Sequence, residues 1–129
     1  MTRLLLRLSA VTFALSGVAM LFVPAAMLSV VGIGAEPVPS FLLRTEGVPQ
    51  LALAILLWVS PVHGAAARAP LAAIIVFNVL SSLVDLDAHR QGLVGAAAVP
   101  SALLRLALAA WAVGALVATT KPAPVDVSA

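Results

Sequence analysis

The chain has 129 residues, of which 63% are hydrophobic and 9% charged, with a mean hydropathy of +1.17. A soluble domain carries about 25% charged residues, so a water-soluble core is excluded as the home of this much apolar surface. No cysteine is present, which removes disulfides, thiolate metal sites, iron–sulfur clusters and cysteine nucleophiles, and the net charge of +2 comes from scattered arginines without the basic face that nucleic acid requires.

Lipid satisfies no backbone polar group, and each crossing takes about 20 apolar residues. The expected structure is therefore all-α: an integral membrane protein whose residues 1–119 form one four-transmembrane-helix bundle, with the lipid bilayer as its solvent and a disordered tail at 120–129.

Arg3 and Arg7 precede the first apolar run, residues 8–33. A charged start and the small residues Ala25 and Ala26 after Pro24 have the outline of a secretory signal. The run continues through Met27, Leu28, Val30 and Val31, past the usual core of about 7–15 residues, and it is read as a retained helix. Ser9, Thr12 and Ser16 form a polar stripe on it. The expectation is that these hydroxyls bond back to their own helix or pack on a neighbour.

Gly32, Gly34, Pro37 and Pro39 then mark a turn. Gly32-x-Gly34 lacks the third glycine, the preceding strand and the lysine of a phosphate-binding loop. Ser40 is positioned as an N-cap for a second helix over 41–62. Inside it, Pro49 removes the donor to the Thr45 carbonyl and predicts a kink beside Arg44 and Glu46. His63, Gly64 and Arg68 make a short loop, and Pro70 opens a third helix over 71–87. A glycine- and alanine-rich connection leads to a fourth helix over 101–119.

The polar residues concentrate in three places. Asn78, Ser82, Asp85 and His89 are spaced four, three and four apart, which places them on one face of the third helix. Arg44, Glu46 and Gln50 lie early in the second helix, and Arg105 early in the fourth. At about 1.5 Å per residue, Glu46, Asp85 and Arg105 all fall in one layer near the membrane surface opposite the termini. These eight residues are the candidate site. Arg44, Arg90 and Arg105 balance Glu46, Asp85 and Asp87 in number, so Arg44 and Arg105 are expected to pair with Glu46 and Asp85. The alternative is a small polar pocket for a substrate, a lipid headgroup or a proton.

Sharper chemistries do not fit the spacing. Asp85-x-Asp87-x-His89 is no metal site on a helix, because Asp87 points about 200° away from Asp85. His63 and His89 sit at opposite ends of their helices and cannot share a haem. There is no His-Glu-x-x-His, Gly-x-Ser-x-Gly or Walker lysine, so no catalytic residue, metal or cofactor is assigned. Asn78 is expected to hydrogen-bond between helices. Ala110, Gly114 and Ala118 give a small-residue face suited to helix packing or dimerisation.

Loop arginines and lysines set the expected topology. Arg3, Arg7, Arg68 and Lys121 would lie inside and Arg90 outside, which places both termini in the cytoplasm of a multi-pass protein of the inner (plasma) membrane. Four helices in this length, with Arg44-x-x-Gly47 opening the second, Asn78 in the third and a polar turn after it, resemble the small four-helix bacterial membrane proteins grouped as DoxX-like or as uncharacterised domain families. The resemblance implies a fold and a membrane location. Small multidrug transporters are similar in size, but their hallmark glutamate in the first helix is missing here. The leading functional expectation is a non-enzymatic structural or accessory membrane component, pairing with a second copy or another membrane subunit. The alternatives are a proton- or cation-coupled transporter using Glu46 and Asp85, and a membrane enzyme acting on a lipid or quinone, with Asp85 and His89 as acid and base.

Overall fold

Four apolar runs become four long helices in the computed structural model, which describes residues 2–34, 36–61 and 63–119. The elements are α1 (Thr2–Phe22), α2 (Pro24–Val30), α3 (Pro37–Val59), α4 (Arg68–Arg90) and α5 (Ala98–Ala118), with a 3-10 turn at Ala65–Ala67 before α4. The segments Thr2–Phe22, Pro39–Val59, Ala65–Arg90 and Ala98–Ala118 are each long and apolar enough to cross a membrane. The protein is thus an all-α, four-span membrane protein. The tail expected at 120–129 lies outside the described residues.

Prolines set most of the differences from the expected boundaries. The run expected as one helix over 8–33 is two helices. Pro24 has no N–H for the Met20 carbonyl and its ring crowds that carbonyl, so α1 ends at Phe22 and α2 starts anew with Pro24 in its first turn. α3 begins at Pro37 behind an extended Glu36 rather than behind Ser40, because proline's fixed φ suits the first helical position and its missing donor is not needed there. Pro49 is accommodated within α3. α4 starts at Arg68 and α5 at Ala98, each two or three residues earlier than Pro70 and Pro100 suggested.

The helices pack as two antiparallel pairs, α1 with α3 and α4 with α5, with few contacts between the pairs. Gly17 and Gly47 let the backbones of α1 and α3 touch: a Cβ on Gly17 would lie 2.9 Å from the Gly47 carbonyl oxygen, and one on Gly47 would lie 2.8 Å from that of Gly17. In the other pair, Ser82 Oγ reaches the Ala102 carbonyl at 3.1 Å and an Arg68 Nη donates to the Thr119 carbonyl at 3.2 Å.

The pairs join at the end that holds the start of α1 and the end of α5, here the terminal end. Leu5, Leu6, Leu57, Leu71 and Ile74 are fully buried there, with Ala112 and Ala115 closing the layer. Lipid tails are as apolar as leucine, so this layer is held by close packing rather than by expulsion of water. At the same end Arg7 ties α1 to α3, stacking on Trp58, 4.4 Å from the ring centroid, and donating to the Trp58 carbonyl. Next along the axis, Phe13 and Phe77 meet edge to face with centroids 4.7 Å apart. At the opposite, loop end the pairs meet through a backbone hydrogen bond from Gly95 N to the Val31 carbonyl, 2.7 Å. Between the aromatic pair and that bond the helices stand apart.

Candidate functional site

The space between the helix pairs forms two adjoining chambers. The inner one, about 240 Å³, is lined by Ser9, Thr12, Phe13 and Ser16 of α1, Met27 of α2, Gln50 of α3, Phe77 and Asn78 of α4, and Ser101, Leu104, Arg105 and Leu108 of α5. The outer one, about 360 Å³, runs toward the loop end and is largely apolar, with Met20, Leu28, Val31, Ile33, Leu43 and Val94 among its walls. Met27, Ser101 and Arg105 line both.

Each polar wall of the inner chamber has a local origin. Gln50 falls on the face of α3 that carries Gly47 and packs on α1. It is 5% exposed, and its Nε2 donates to Met20 Sδ at 3.3 Å, a weak acceptor. Asn78 is buried, and its Nδ2 donates to the Ile74 carbonyl at 2.8 Å. That bond stays within α4, so Asn78 is not the interhelical link expected from the sequence. Ser82, one turn on, takes that part. Its hydroxyl lies 2.7 Å from the Asn78 carbonyl as well as within reach of Ala102 on α5.

Ser9 is the anomaly. It is 2% exposed, and its Oγ has no hydrogen-bond partner among the described residues. Thr12, by contrast, bonds back to the Leu8 carbonyl at 2.9 Å, as expected of the whole stripe. A buried hydroxyl without a partner costs about 1–3 kcal/mol. We expect Ser9→Ala to stabilise the ligand-free protein by about 1 kcal/mol, read as a higher midpoint in denaturant titration of the detergent-solubilised chain. A fall in the midpoint would show that the hydroxyl is already satisfied.

At the junction of the chambers, Arg105 Nη1 lies 3.5 Å from Asp85 Oδ2, with side chains 28% and 30% exposed. This is the ion pair expected between α4 and α5. The other expected pair does not form. Arg44 and Glu46 are both exposed and line a groove of about 650 Å³ with Leu21, Phe41, Thr45, Val48 and Pro49. Among the described residues the ion pairs are Asp85 with Arg105 and Asp87 with Arg90. The reason is helical phase: Arg44 and Glu46, two residues apart, point nearly opposite ways around α3 and cannot reach one another.

The eight candidate residues therefore divide. Gln50, Asn78, Asp85 and Arg105 surround the chambers, and Ser82 supports them from between α4 and α5. His89 lies outside the chambers, its Nδ1 3.3 Å from the Val94 carbonyl, which makes Nδ1–H the donor and ties the end of α4 to the following loop. Asp87 faces outward, paired with Arg90 at 3.2 Å and accepting from Gln91 Nε2 at 2.6 Å. No group of three or more metal-binding side chains occurs among the described residues.

Four polar lining residues of the inner chamber, Ser9, Thr12, Ser16 and Ser101, lie outside the site expected from the sequence. The spacing of Ser9, Thr12 and Ser16 was visible, but one hydroxyl stripe on an apolar helix does not reveal that it faces a gap. Ser101 read only as a helix start. Comparison with protein families, with curated proteins and with solved structures finds no match.

Proposed function

We propose that this chain is a non-catalytic membrane component that holds one neutral amphiphile in the two-chambered cavity, with the polar head in the inner chamber and the apolar tail in the outer. The observation that carries this reading is the Ser9 hydroxyl, buried without a partner in a chamber that also presents Gln50, Asn78 and Ser101. Buried polar groups in hydrocarbon are kept satisfied, and a hydrogen-bonding head in that chamber would complete the set.

The chemistry of the walls narrows the class. Asp85 and Arg105 neutralise each other, so the chambers offer hydroxyls and amides but no free charge, which favours an uncharged head. Drug-sized pockets run about 300–1,000 Å³, and the inner chamber of about 240 Å³ suits a single ring beside Phe13 and Phe77. A carbonyl-bearing ring on an apolar tail, the chemistry of prenylated quinones, meets these conditions. Amides and hydroxyls do not serve as acid or base near neutral pH, and His89 lies outside the chambers, which supports binding over catalysis. Glu46 and Asp85 line separate surfaces, which gives no support to transport coupled through both.

The chain is further proposed to sit in the inner (plasma) membrane with both termini cytoplasmic. Arg3, Arg7 and Arg68 gather at the terminal end and Arg90 lies at the loop end, the bias that the positive-inside rule associates with that orientation.

The test is ligand-induced stabilisation of detergent-purified protein. A short-tailed prenylated benzoquinone is expected to raise the melting temperature of the parent by several degrees and to leave Gln50→Leu unmoved. A phosphatidic acid of similar tail length should have no comparable effect. Stabilisation by the anionic lipid alone, or by neither, would overturn the assignment.

A further inference from the structure

The inner chamber lies at mid-depth in the bundle. Thr12 is the middle residue of the span Thr2–Phe22, and Leu108 is that of Ala98–Ala118. Phe77 and Asn78 are the two middle residues of Ala65–Arg90, and Gln50 lies next to the centre of Pro39–Val59. All five line the chamber. Since each span crosses about 30 Å of hydrocarbon, these walls stand at the bilayer midplane, the depth at which a polar group is farthest from water. The walls are not equally closed. Gln50 of α3 and Asn78 of α4 are buried. Thr12 of α1, by contrast, is exposed, and Leu104 of α5 is 62% exposed, although both line the chamber. A residue that borders the chamber and also faces outward stands on its rim, and α1 and α5 touch only sparingly.

We propose that the inner chamber exchanges its occupant directly with the bilayer midplane, through the seam between α1 and α5 that Thr12 and Leu104 border. The inference rests on the reading of the cavity as a site for a neutral amphiphile, and it narrows that class by depth. A phospholipid keeps its charged head at the interface, because charge in hydrocarbon is costly, and so it does not bring that head to the seam. An uncharged head on a long apolar tail pays no such penalty and can lie between the leaflets. A molecule of this kind reaches the chamber head first from either leaflet, without entering water and without passing the loop end. The occupant is thereby a neutral lipid that travels within the hydrocarbon layer, in preference to one anchored at its surface.

The absence of native cysteine makes the test direct. Thr12→Cys and Leu104→Cys place single thiols on the rim. Leu15→Cys and Leu103→Cys are the controls, at exposed positions of the same two helices that do not line the chamber. Val30→Cys probes the other route, since Val30 is exposed on the wall of the outer chamber. Each variant is capped with a bulky maleimide, purified in detergent and loaded with a radiolabelled short-tailed prenylated benzoquinone, whose release is timed against an excess of the unlabelled compound. Caps at 12 and 104 are expected to slow release at least about tenfold, and caps at 15, 103 and 30 to leave it at the parent rate. Slower release with the cap at 30 but not with those at 12 and 104 would overturn the proposal in favour of the loop end. Equal rates in all five variants would overturn it as well, with the cavity reading intact. A parent that retains no quinone would overturn that reading and this proposal together. If the caps at 12 and 104 prevent loading, Leu104→Phe, which only narrows the seam, decides: slower release supports the proposal and the parent rate overturns it.

Discussion

Gly47→Leu is expected to abolish the stable pairing of α1 with α3. A side chain at this position meets backbone on both sides of the crossing, since Gly17 and Gly47 each lie against the other's carbonyl oxygen at under 3 Å from an ideal Cβ. A flexible side chain could swing aside; two helix backbones cannot without separating. Even one methyl group should be felt. Overpacking of a fitted interior costs about 1–3 kcal/mol, whereas glycine to alanine inside a helix otherwise gains about 1 kcal/mol. Gly47→Ala should therefore be net destabilising by up to about 2 kcal/mol, and Gly47→Leu should leave little folded protein. Gly114 is the internal control, because a Cβ there meets nothing within 4 Å. Denaturant titration of Gly47→Ala beside Gly114→Ala decides the matter, and equal midpoints would mean that the crossing is not tight.

The second large effect concerns the ion pair at the chamber junction. Arg105→Leu leaves Asp85 without its partner between α4 and α5. Breaking a fully buried pair costs about 3–5 kcal/mol, and the roughly 30% exposure of both side chains reduces this through solvent screening, so a loss of about 2 kcal/mol is expected. Asp85→Asn combined with Arg105→Leu removes both charges and should recover most of the loss, as paired deletions of buried charges often do. The double-mutant cycle should give a coupling of about 1 kcal/mol or more. Strict additivity of the two substitutions would place both charges in water, independent of each other.

Much of this molecule is legible in its sequence, and for one physical reason. Hydrocarbon demands long, uninterrupted apolar helices, so composition and run length fix the class and the number of spans. Proline marks where a helix breaks but not on which side of the mark the next one starts. Pro24 split a run that read as continuous, while Pro49 sits inside α3 without ending it. The Asp85–Arg105 pair followed from depth and charge balance. Depth alone misassigned Arg44 and Glu46, because two residues in one layer but two positions apart face nearly opposite sides of their helix. The cavity was hidden for a different reason. A void is a property of how far apart two helix pairs stand, and no residue pattern records a distance between elements that are remote in sequence. The three α1 hydroxyls were visible but ambiguous until Ser9 was seen to face a gap.

The uneven fastening of the two helix pairs makes the molecule a pair of tweezers. The packed leucine layer forms the pivot, while Arg7 and Arg68 each lock one pair at that end. The Gly95–Val31 bond is the catch at the tips. Displacement in such a lever grows with distance from the pivot, so a small angular change there widens the outer chamber far more than the inner.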